Sequence, residues 1–183
     1  MRSPLNITRI FPEIDLITDQ DIRIKTIAVW DRLWEEGNFD DIMAVPVLPQ
    51  TDYPHVIHNR ALVQMALRIA DVLEEIHGVK INRDHLIAAV LLQDACKLVE
   101  FAPQADGYVR SAIGEQFQHG FYGAHIALEV GLPHEIVQAI LAHTFDHASY
   151  PSTLIGKILF YIDQIDMAAL QADRWKKSSF LYR

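Results

Sequence analysis

Apolar residues recur along this chain at spacings of three and four, and the stretches that carry them end at glycine or proline. That period lays one side of a helix against a core. From Thr18, which forms a T-x-x-D capping signature with Asp21, the positions Ile22, Ile27, Trp30, Leu33 and Trp34 predict a helix stopped by Gly37. Pro46, Pro49 and Pro54 then predict a surface loop over 38–54. A second helix follows from His55 to His77, with Leu62, Met65, Ile69, Val72 and Ile76 on one face and Gly78 behind it. Asn82 caps a third, whose stripe of Leu86, Ala89 and Val90 runs into Gln93 and Asp94 before Pro103. Beyond a loop reaching about Gln118, a fourth helix ends at Gly131, Pro133 opens a fifth, and a sixth covers roughly Thr153 to Ala172. Pro4 and Pro12 make the first dozen residues read as an extended arm. No alternating β-branched segment is bounded by hairpin turns. The expectation is an all-α bundle: an arm over 1–17 and a single helical domain over 18–183, without internal repeats.

Composition narrows the partners. With 183 residues, 50% of them hydrophobic and 22% charged, the chain can build a core of ordinary size. A formal net charge of -8 opposes attraction to phosphate backbones, so duplex nucleic acid is not expected as a partner. The longest apolar run, Leu86 to Leu92, is too short to cross a bilayer, and no leader is recognisable at the N-terminus. The lone cysteine, Cys96, has no internal disulfide partner and reads as core filler, which agrees with a cytoplasmic protein. A small anionic ligand remains compatible if local cations, from a metal or from particular lysines and arginines, offset the overall field. A homodimer is neither required nor opposed.

Ionisable residues stand in register with the buried stripes. His58 lies one turn before Leu62, Asp94 one turn after Val90, His143 three residues after Ile140, and Asp163 four residues after Leu159. A single histidine on an apolar face is usually a hydrogen-bonded core residue. An unpaired buried carboxylate is harder to accommodate, because it costs several kcal/mol. Inward-facing imidazoles and carboxylates from separate helices together point to a cation, and that donor set suits iron, manganese or zinc.

His58 in "HNRALVQMAL", Gln93-Asp94 in "LLQDACK", His119 in "HGFYGAHIALEVGLPHEIVQAI", His143 in "AHTFDH" and Asp163 in "KILFYIDQID" resemble the HD superfamily of metal-dependent hydrolases. The resemblance covers roughly residues 54–168 and is nearest in look to small bacterial proteins that hydrolyse diadenosine tetraphosphate. It implies an HD-domain helical bundle holding one or two divalent ions, with Fe, Mn, Mg and Zn not distinguished. The implied ligands are His58, Gln93, Asp94, His119, His143 and Asp163, with Asp94 bridging and Asp163 selected over neighbouring Asp166. It further implies hydrolysis of a nucleotide or other small phosphoester by a metal-bound hydroxide, with Asp94 and Lys97 as catalytic residues and Lys97 also contacting a substrate phosphate.

Gln93 departs from the family's His-Asp doublet. Its neutral carbonyl is a weaker and harder donor than imidazole, which tilts preference toward manganese or magnesium. Two alternatives stay open: a degenerate HD domain that binds a ligand or partner without catalysis, and a di-iron oxygenase of the same superfamily. Arg60, His125 and His147 are secondary candidates for the pocket. Trp30 and Trp34 are read as core, and His55, His77, His85 and His134 as surface residues at helix ends.

Overall fold

The computed structural model describes residues 5–51, 53–144 and 149–170. It is mostly helical. Helices α1 (Ile7–Ile10), α2 (Gln20–Glu36), α3 (His55–His77) and α4 (Arg83–Leu92) precede a short α5 (Lys97–Glu100). A hairpin of β1 (Phe101–Gln104) and β2 (Gly107–Arg110) follows, then α6 (Ala112–Gln116), α7 (His119–Val130), α8 (His134–Leu141) and α9 (Leu154–Leu170).

Helix α4 is the axis of the bundle. All seven residues from Leu86 to Leu92 are buried, as expected of a helix covered on every side. It packs against α3, α8, α9 and α2, while α7 lies along α8 and α2. At Leu92 the helix breaks: Gln93 to Cys96 form a turn, and the chain rewinds as α5 with the Lys97 amide donating to the Asp94 carbonyl at 3.0 Å. The polar doublet therefore sits in a helix break at the centre of the core, where the continuous-helix expectation had placed it mid-helix.

Several expectations are corrected. Among the described residues of the expected arm, 5–17, the chain is not extended: α1 and a 3-10 turn over Pro12–Leu16 fold onto the core through Ile7, Phe11, Ile14 and Ile17. Pro12 opens that turn, where its missing N–H removes no bond. Helix α2 is capped by Asp19, whose side chain accepts from the amides of Asp21 and Ile22, while Thr18 bonds Asp84 through both amide and hydroxyl. Val72 and Ile76 are exposed, because the last turns of α3 run past the core. Gly78 closes α3 with φ of 64°, a left-handed position that suits glycine. Strands also occur. Phe101 to Gln104 pairs antiparallel with Gly107 to Arg110 around a tight turn at Ala105-Asp106.

The hairpin leads into a close approach. A Cβ on Gly114 would meet the carbonyl oxygen of Glu100 at 2.2 Å, so α6 packs backbone to backbone against the end of α5. Among the described residues, no helix is long and apolar enough to cross a membrane.

His55, read from the sequence as a surface residue, is completely buried. Its ring packs 5.7 Å from Trp30, which also contacts Phe11, and its Nδ1 lies 3.3 Å from the Val45 carbonyl. Burial pushes its pKa down to about 4. The unfolded chain takes up this proton below pH ~6.5 and the native protein does not, so stability is whole above that pH and declines as pH falls toward 4. A shift of this size corresponds to on the order of 3 kcal/mol. His55→Phe is expected to give a shallower fall of Tm between pH ~6.5 and ~4 than the wild type, measured by thermal melts across that range.

Candidate metal centre

Five elements deliver polar side chains to the helix break. His58 comes from the first turn of α3, Gln93 and Asp94 from the break itself, His119 from the first residue of α7, His143 from just beyond α8, and Asp163 from α9. His58, Gln93 and His143 have no exposed surface, and Asp94 and Asp163 have almost none. All six residues implied as ligands are thus brought together, with Lys97 beside them.

One half of the cluster is compact. His119 Nε2 lies 3.5 Å and His143 Nε2 3.6 Å from Asp94 Oδ1, and the two Nε2 atoms are 3.1 Å apart. Among the described residues, Asp94, His119 and His143 place their donor atoms within 4.8 Å of one another. Bonds of ~2.1 Å at octahedral to tetrahedral angles put neighbouring donors ~3.0 to ~3.4 Å apart, so the spacing fits a divalent ion. The outer nitrogens set the ring orientations. His143 Nδ1 donates to the Ile140 carbonyl at 2.6 Å, and His119 Nδ1 faces the Glu100 carboxylate at 3.3 Å. Both rings thereby aim Nε2 at Asp94, and histidine ligands are held by their outer nitrogens in this way.

The other half surrounds His58. Its Nδ1 lies 2.7 Å from Asp166 Oδ2, and its Nε2 lies 3.2 Å from Asp163 Oδ1 and 3.6 Å from Asp94 Oδ2. Gln93 Nε2 is 3.1 Å from the same His58 nitrogen and 3.4 Å from Asn59 Oδ1. The Gln93 carbonyl oxygen is buried with no hydrogen-bond partner among the described residues.

Charge organises the whole. Burial drives the Asp94 carboxyl toward protonation, but Lys97, His143, His119 and His58 overcome it and hold it well below the usual carboxylate range. Burial lowers the His119 pKa, with nearby Lys97 adding to the effect. Burial also disfavours charge on His58, yet Asp163 and Asp166 outweigh it and raise its pKa to about 9. Lys97, itself buried, donates to the Val47 carbonyl and lies 3.5 Å from Asp94 Oδ1.

Asp166, Glu100 and Asn59 were missed by the sequence reading. Asp166 was set aside in favour of Asp163, although it lies one turn further along α9, within reach of the same ring. Glu100 had a signal, a carboxylate closing an apolar run three residues after Lys97. Arg60 turns away to Glu13 at 2.9 Å, and exposed His125 pairs with Glu129 on its own helix. His147 lies outside the described residues. Because Glu100 lies against the outer nitrogen of His119, Glu100→Ala is expected to weaken divalent-ion binding ~10- to ~100-fold, while Glu100→Gln retains an acceptor and loses less. Calorimetric titration with Mn2+ measures the difference.

No protein-family model matches the chain. No solved structure matches it. The chain is similar to the dihydroneopterin 2',3'-cyclic phosphate phosphodiesterase of Methanocaldococcus jannaschii, at 28% identity over 176 aligned residues that span 86% of this chain and 68% of that protein.

Proposed function

We propose that the chain is a metal-dependent phosphohydrolase of HD type whose substrate is a small anionic phosphoester, a nucleotide or a cyclic phosphodiester. The observation that carries this reading is the convergence of Asp94, His119 and His143 on one point inside the core. The similarity to an archaeal enzyme named for cleaving a cyclic phosphate supports it independently.

Each residue has a role in this reading. Asp94, His119 and His143 hold a divalent ion, and an ion there supplies Lewis-acid stabilisation of phosphoryl charge. Lys97, the ammonium nearest Asp94, neutralises a nonbridging phosphate oxygen after exchanging the Val47 carbonyl for it. Glu100 and the Ile140 carbonyl fix the ring orientations of His119 and His143. Asp163 and Asp166 fix His58 at the opposite wall. The net charge of -8 makes these local cations necessary for any anionic substrate to approach.

A noncatalytic ligand-binding domain is the second reading, favoured by the Gln93 amide lying against the His58 nitrogen that would otherwise face an ion. The two are separated by a panel of nucleoside 2',3'-cyclic phosphates, mononucleotides and dinucleoside polyphosphates incubated with Mn2+ or Fe2+. Hydrolysis that depends on the added ion, and that falls by more than ~100-fold in Asp94→Ala, is the expected result. Equal inertness of wild type and variant across the panel selects the binding domain instead.

A further inference from the structure

A second concave site lies on the far side of α3 from the metal centre. Ile57, Arg60 and Ala61 follow one another on α3 at spacings of three and four from Ile57, so they share a face, and the fully buried His58 and Leu62 belong to another. With Arg9, Ile10 and Glu13 of the N-terminal segment opposite, they enclose a groove of about 700 Å³. We infer that this groove binds a small organic monoanion, its apolar body laid along the walls and its charged head met by Arg9 and Arg60.

Size and lining fit a ligand body. The volume falls in the range of ~300 to ~1,000 Å³ that small-molecule sites occupy. Val56 in its wall is buried and Ile10 half-buried, while Met43 and Ile57 are 44% and 45% exposed. Single exposed apolar side chains are ordinary on a protein surface, but two of them here line one concavity. An apolar body seated in the groove removes both from water.

Charge selects the head group. The groove carries two guanidinium groups and one carboxylate. Glu13, only 6% exposed, takes Arg60 Nε on its Oε1 at 2.9 Å, and its Oε2 is buried without a hydrogen-bond partner among the described residues. The carboxylate is thus committed to Arg60 Nε. The Nη groups of Arg60 and the whole guanidinium of Arg9 have no ion-pair partner among the described residues. One positive charge is left over at this groove, in a chain whose formal net charge is -8. An ammonium head would meet two guanidiniums, and an uncharged head would gain nothing from them. A carboxylate, sulfonate or phosphodiester head matches their fork geometry, and the overall negative field penalises each further negative charge. The groove and its ligand do not depend on the metal-dependent reading above.

The test titrates the full chain by calorimetry with octanesulfonate, a monoanion that cannot be hydrolysed as a phosphoester, and with octyl glucoside as the uncharged control of equal tail length, each kept below its aggregation threshold. One equivalent of octanesulfonate is expected to bind, ~10-fold more tightly than the glucoside. Arg9→Gln, at an exposed position, should lower the sulfonate affinity ~10-fold and leave the glucoside unchanged. Ala61→Phe, which fills the groove, should weaken both, with melting curves confirming that it folds. Added Mn2+ should change neither titration, which separates the groove from the metal centre. Equal affinity for the two probes, full sulfonate binding by Arg9→Gln, or no binding to a folded wild type overturns the assignment. So does sedimentation with phosphatidylglycerol vesicles without saturable binding of octanesulfonate, an outcome that makes this face a membrane contact instead.

Discussion

A carboxylate in the middle of a hydrophobic core is the constraint around which this protein is arranged. Asp94 is 3% exposed and lies where the most buried helix of the bundle has just ended. An isolated charge at such a depth would cost several kcal/mol, and the fold answers with Lys97 one turn on and with imidazoles from α3, α7 and the end of α8. Those groups can reach Asp94 because α4 stops at Leu92 and the chain rewinds through a turn. A continuous helix would spend the same backbone on its own ladder and point the doublet along a single face.

The separation between histidines and their outer oxygens follows from this centre. Carboxylates at Glu100 and Asp166 and a carbonyl at Ile140 each take one imidazole nitrogen, leaving the other for the interior. Three rings from three parts of the chain thereby acquire a common orientation. The proposed chemistry depends on that shared direction more than on proximity, because a ring turned by half a revolution would withdraw Nε2 from the centre.

Much of this was legible from residue order. Helix α3 has the bounds that Pro54 and Gly78 mark, and His58, Asp94, His143 and Asp163 announced themselves as ionisable groups inside apolar stripes. His119 stands at the start of its helix, outside any stripe, and was reached only through the resemblance. The N-terminal segment was misread because prolines outweighed a helical spacing that Ile7, Phe11, Ile14 and Ile17 display. The hairpin was invisible for a related reason: its strands are four residues long and one contains Pro103, so neither offers enough alternation to register. Glu100 and Asp166 act through histidines far away in sequence, and no local pattern encodes a pairing of that kind. His55 shows the converse error, a helix-end position taken for surface that the N-terminal segment and Trp30 bury.

The contact between Gly114 and Glu100 extends the centre's reach to the periphery of the fold. The Glu100 carbonyl is held from one side by Gly114 and accepts from the Ser111 amide at 2.8 Å, while the side chain of the same residue braces His119. Any side chain introduced at position 114 must displace that peptide, and the displacement travels through a single residue to an imidazole of the cage. A position that touches none of the chemistry is in this way barred from drifting, and the outer rim of the molecule shares the tolerance of its innermost site.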